Sequence, residues 1–114
     1  MSITIHGQHA PHIASRVAAG IRWLASVDPD WRDHVDPETL DIWSNEYCMI
    51  GQIFGPFHET QAAIDMSDET AQARGFLCLD FSDPHMDAEY AALTACWLDQ
   101  LDPPTDSPDT KLAA

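Results

Sequence analysis

Basic residues are what this 114-residue chain has least of. Arg16, Arg22, Arg32, Arg74 and Lys111 stand against nineteen Asp and Glu, for a formal net charge of -14. That scarcity counts against direct binding to DNA or RNA, whose affinity comes largely from Lys and Arg displacing condensed counterions. A surface this negative also repels nucleotides and anionic lipid heads. Close cysteine pairs are missing too: Cys48, Cys78 and Cys96 are an odd number without the spacing of a disulfide framework or a structural zinc site. Reduced, buried thiols are expected. No apolar run approaches the ~20 residues of a membrane span, and the N-terminus lacks the basic start and apolar run of a signal peptide. The expected location is the cytoplasm, without membrane contact.

Catalytic signatures are absent as well. There is no GxGxxG, Walker loop, HExxH or GxSxG, and the GQIFG stretch from Gly51 to Gly55 has neither the Lys nor the preceding strand of a phosphate loop. His6, His9 and His12 could offer imidazoles to zinc or nickel, but Gly7 and Pro11 make their segment irregular and no fourth ligand is fixed. A solvated lead-in is the expectation there. His58 and Glu59, or Asp28, Asp30 and Asp33, are sequence neighbours that a helix would point apart, so neither set implies a shared acid/base site. The chain is therefore expected not to be an enzyme and to need no cofactor. A small metal- or thiol-dependent enzyme using the histidines and cysteines stays open as an alternative.

What the chain does have is a foldable amount of apolar sequence: 45% hydrophobic residues, with four Trp, four Phe and two Tyr. That is enough for one core. Ile13, Val17, Ile21 and Leu24 recur at helical intervals and predict a helix over 12–27, with Arg16, Arg22 and Ser26 turned to water. Met86, Tyr90, Leu93, Trp97 and Leu101 predict a second long helix over 84–101, packed on the first. Asp28-Pro29, Asp36-Pro37 and Asp83-Pro84 read as helix starts, where the carboxylate accepts orphan N–H groups and proline gives up no needed donor. Ser44 or Asn45 is expected to cap a helix through Phe54, with Trp43 as a staple, and Ser67 a short helix ending at Gly75. Residues 1–11 and 76–81 leave room for a small strand pair. The fold expected is mainly α: a compact single domain over 1–101 with a long helix near each end and short capped helices between. Residues 102–114, rich in Asp and Pro, are expected to be a disordered acidic tail.

Trp31 and Trp43 lie inside the acidic stretch from Asp28 to Glu46. A tryptophan among carboxylates suits a surface for a basic partner, since the ring supplies both area and a cation-binding face. The plainer account is that both rings close the core. The candidate partner-binding residues are Asp30, Trp31, Asp33, Glu38, Asp41, Trp43 and Glu46.

Several stretches taken in order, RVAAGIRWL, PDW, LDIWS, CMIGQIFG, RGF and EYAALTACW, resemble a group of small acidic hypothetical proteins of actinobacteria and their phages. The resemblance covers most of 14–98 and implies a phage-like origin; it carries no activity and no catalytic residue. The function expected is a non-catalytic acidic protein that binds the basic surface of a protein partner. A phage-type inhibitor or nucleic-acid mimic, blocking a host or defence protein, is one form of it. The alternative is a structural or homo-oligomeric module whose acidity serves solubility, with Trp31, Trp43 or Phe57 in a subunit contact.

Overall fold

Two amphipathic sequences separated by most of the chain pair to form the frame. The computed structural model describes residues 5, 7–78 and 85–101. Helix α1 (Pro11–Val27) starts on a proline whose missing N–H costs nothing in a first turn. It buries Ile13, Val17, Ile21 and Leu24, the stripe read from the sequence. Helix α5 (Met86–Leu101) buries Tyr90, Leu93 and Trp97 from its own stripe and lies against α1. Full burial of one such side chain contributes ~1.5–3 kcal/mol, so packing supplies what helices of this length lack alone.

Between them lie a 3-10 turn at Trp31–His34 and three short helices: α2 (Met49–Ile53), α3 (Phe57–Thr60) and α4 (Asp68–Ala73). Helix α4 is bounded at both ends by local chemistry. Ser67 Oγ accepts from Thr70 N–H at 3.2 Å, as its capping sequence predicts. At the other end, Gly75 takes φ +74°. Its N–H donates to Gln72, and Phe76 N–H donates to Ala71. This pair of bonds closes the helix in a Schellman turn, which a side chain at Gly75 would strain. The turn delivers Phe76 into the core. There its ring stacks on Trp97 at 5.5 Å, while Trp97 Nε1 donates to the Gly75 carbonyl at 2.9 Å and Trp31 meets Trp97 edge-on at 5.9 Å. Gly20 lets α1 pass over this point, because a Cβ there would lie 2.8 Å from Trp97 Cζ2 and collide with the Arg74 carbonyl.

Several expectations are corrected. Arg16 is not in water: its side chain is 14% exposed. Its Nε donates to Gln72 O at 2.8 Å, its Nη2 to Leu77 O at 2.9 Å and its Nη1 to Glu89 Oε2 at 2.8 Å. One guanidinium thus joins α1 to the end of α4, the segment beyond it and α5, using the planar array of donors that arginine provides. His9, expected in a solvated lead-in, instead meets Asp99 Oδ2 at 2.6 Å and ties that lead-in to α5. The first two Asp-Pro pairs, Asp28-Pro29 and Asp36-Pro37, act as tight turns rather than helix caps. Asp28 Oδ1 accepts from Asp30 N–H and Asp36 Oδ1 from Glu38 N–H, two residues on. No helix follows Pro37: the chain runs through successive turns, with Thr39 N–H donating to Asp36 O and Ser44 N–H to Asp41 O, and buries Leu40 and Ile42 while exposing Asp41 and Trp43.

Ser44 likewise closes a turn, accepting from Glu46 and Tyr47 N–H, and α2 begins later with Cys48 Sγ accepting from Gly51 N–H at 3.2 Å. Trp43 is no staple; its ring lies 4.6 Å from that of Tyr90. No strand occurs among the described residues, so the small strand pair is not seen in them. Asp83-Pro84, the tail 102–114, and much of the two stretches considered as strands lie outside the described residues.

Candidate functional site

The same alternation that buries Leu40 and Ile42 sends Asp41 and Trp43 outward. Three hydrogen bonds fix that short stretch. Ile42 N–H donates to Thr94 Oγ1 on α5 at 3.1 Å, Asp41 N–H to Tyr47 O at 3.2 Å, and Trp43 N–H to Asp41 Oδ1 at 3.0 Å. Gln52 braces the loop from α2, donating to Tyr47 O and accepting from Asp36 N–H. Trp43 is therefore held in place while 49% exposed, its ring packed against that of Tyr90. Half-exposure of a tryptophan on a braced loop costs apolar hydration that the fold alone does not recover.

Beside Trp43 runs an open groove of about 520 Å³. Trp43 and Tyr90 form its wall, and its floor is the outer face of α5, from Asp87 through Ala91, Thr94 and Ala95 to Leu98. Among the described residues, the charged ones lining it are Asp41 and Asp87, and no Lys, Arg or His takes part. Thr94 Oγ1 accepts from the Ile42 N–H, and its neighbours on the floor, Ala91, Ala95 and Leu98, are small or apolar. On the other side of Trp43 and Tyr90 lies a more enclosed cavity of about 160 Å³, lined mainly by Ile42, Phe57, Phe76 and Leu77 with Cys48 and His58.

The thiols are buried and free. Burial pushes the Cys78 thiol up to about 12, with the Glu89 carboxylate adding to the rise and Arg16 opposing it. Cys96 rises to about 11 through burial and the charge of Asp99, and Cys48 also rises through burial despite backbone N–H groups that favour its thiolate. All three shifts run opposite to those of an activated nucleophile or metal-ligating thiolate. Glu89 moves the other way. Burial raises its carboxyl, but hydrogen bonds from Cys78 and Arg16, with the Arg16 charge, outweigh that and hold it below the usual carboxylate value. Among the described residues no three His, Cys, Asp or Glu side chains converge as a metal centre requires.

The seven candidate residues separate in space. Asp41 and Trp43 stand together at the groove. Trp31 is 1% exposed, packed edge-on to Trp97 with the Arg32 guanidinium 4.3 Å above its ring, and offers no face to a partner. Asp30 and Asp33 are exposed at the turn around Trp31, and Glu38 and Glu46 are exposed on the loops on either side of Trp43. Phe57, considered for a subunit contact, is buried. The α5 residues of the groove were missed. Their signal was present as a second stripe, Asp87, Ala91, Thr94, Ala95 and Leu98, offset from the one that carries Tyr90 and Trp97. Comparison with family models, curated proteins and solved structures gives no match to this chain.

Proposed function

We propose that this chain is a non-catalytic acidic protein that binds a basic site on a protein partner through the groove beside Trp43. The observation that carries the reading is the pairing of a half-exposed, braced Trp43 with a groove whose charged lining among the described residues is Asp41 and Asp87. An aromatic face next to carboxylates suits Lys and Arg side chains, which gain from the ring and the charge together. In its phage-type form the protein is a cytoplasmic inhibitor that covers a basic site of a host or defence protein. The apolar floor favours contact with a protein segment over strict imitation of a phosphate backbone, which presents no such surface.

The homo-oligomeric alternative finds support in the same exposed ring. It has to bring two sets of like charges together across one interface, which costs affinity. Capture from host lysate on the immobilised full-length chain, followed by elution at rising salt, tests the proposal. A basic protein retained at low salt and released as the Debye length falls from ~30 Å to ~3 Å is the expected result. Recovery of acidic partners only, or of a complex indifferent to salt, overturns it.

A further inference from the structure

Which kind of basic segment fits the groove follows from its floor. Asp87, Ala91, Thr94, Ala95 and Leu98 follow one face of α5 for about 16 Å of axis, at 1.5 Å rise per residue. Ala91 and Ala95 are exposed and small, so a second element can approach at the short end of the ~8–10 Å helix-packing range. A helical floor has a further consequence for the backbone of whatever lies on it. The main chain of α5 is bonded within the helix and Thr94 offers a single hydroxyl, whose oxygen already accepts from Ile42 N–H, so the floor supplies no ladder of donors and acceptors. An extended peptide laid there would bury unpaired N–H and C=O groups, whereas a helix satisfies its own.

Charge narrows the occupant further. Asp87 lies at the N-terminal end of the floor and Asp41 beside Trp43, and neither carboxylate has a Lys or Arg partner among the described residues. A second copy of this chain would add its own carboxylates to these, on a molecule of net charge -14. A segment with Lys or Arg flanking a small apolar face would instead meet Asp87 and Asp41 and lay a cation over Trp43. We infer that the groove between Trp43 and α5 receives a cationic amphipathic α-helix of the partner protein. This rests on the reading of the chain as a binder of basic protein sites.

The test uses the full-length chain and two synthetic peptides of about five helical turns. Both contain Lys, Leu and Ala in the same numbers. In one the order places Leu and Ala on a single helical face; in the other the order is shuffled so that no face forms. Binding is followed by calorimetry at low salt. The expected result is that the amphipathic peptide binds at least about tenfold more tightly than the shuffled one. Ala91→Arg, which sets a long cation on the exposed floor at little cost in helix propensity, should remove about the same factor while the circular dichroism stays unchanged. Asp87→Lys, also at an exposed position, provides the same test should Ala91→Arg fail to fold.

Equal affinity for the two peptides, or binding untouched by the substitutions, overturns the helix-in-groove inference and leaves the electrostatic reading standing. Failure of both peptides to bind at low salt overturns the two together. A stable dimer that Ala91→Arg converts to monomer would assign the groove to a second copy and likewise overturn the inference.

Discussion

Arg16→Met removes the guanidinium while keeping most of the apolar stem, and it isolates a cation that ties α1 to three other parts of the fold. Three bonds are lost: to Gln72 O, Leu77 O and Glu89 Oε2. Gln72 O still accepts from Gly75 N–H, so its loss is partial, whereas Glu89 is left without its cation in a site where Arg16 is 14% and Glu89 26% exposed. Breaking a buried ion pair by deleting one partner costs ~3–5 kcal/mol, and residual water access places this case at the lower end, about 3 kcal/mol. That is a large share of the ~5–15 kcal/mol that holds a domain of this size together. The corresponding fall in Tm is ~12–24 °C, at ~4–8 °C per kcal/mol for a domain near 100 residues. Urea unfolding followed by far-UV circular dichroism measures it, with Arg22→Met, an exposed arginine of the same helix, as the reference.

The pH dependence follows from the same contact. Glu89 is held below its ordinary value in the folded protein, so its contribution is fully present above the ordinary carboxylate pKa and is lost as pH falls through the lower folded one. Glu89→Gln should abolish that part of the acid sensitivity. An Arg16→Met protein within ~0.5 kcal/mol of Arg22→Met would refute the clasp as a source of stability.

Gly20→Ala should destabilise by ~1–3 kcal/mol, because the added methyl meets Trp97 and the Arg74 carbonyl, even though the same change in an open helix gains about 1 kcal/mol. A Tm above wild type would refute the close crossing. Trp31→Ala should cost ~3–5 kcal/mol as a core deletion. Trp43→Ala should cost at most about 2.5 kcal/mol, from half of ~200 Å² at ~25 cal/mol per Å². Equal losses on urea unfolding would contradict the two placements. Added sodium chloride should raise Tm, since screening relieves carboxylates that have one Lys or Arg ion pair among the described residues, Arg16 with Glu89. A Tm that falls between roughly 20 and 300 mM salt would show that net attraction, not repulsion, governs this surface.

Periodicity made the two long helices legible, because a stripe at intervals of three and four has one physical meaning when it persists for four or more turns. Ser67 and Gly75 were legible for another reason: both capping motifs are built from neighbours in sequence. The stretch from Asp36 to Cys48 was not. Ser44 can close a turn or cap a helix with the same oxygen, and its choice is made by Ile42, which is drawn to Thr94 on a helix remote in sequence. Arg16 was misread for a similar cause. Its helical position faces away from the apolar stripe, and only the approach of the Gln72 and Leu77 carbonyls and Glu89 turns that side of α1 into an interior surface. The site was half legible. Trp43 drew notice by its acidic neighbours, while the α5 stripe opposite it consists of small residues that no composition argument singles out.

The structure sorts the acidity by what each carboxylate already does. Asp28 and Asp36 close turns, Asp68 accepts from Gln61 Nε2, Asp99 meets His9 and Glu89 meets Arg16. Those charges are stabilised by the fold itself, so their presence calls for no partner. Asp87 has no such contact among the described residues, and Asp41 uses one oxygen on the Trp43 N–H while keeping further acceptor capacity. A carboxylate kept for solubility can sit anywhere on the surface, and an exposed tryptophan works against solubility. Finding Asp41 and Asp87 on the lining of the groove whose wall is Trp43 therefore favours recognition over solvation at that place, whatever the remaining exposed acids contribute.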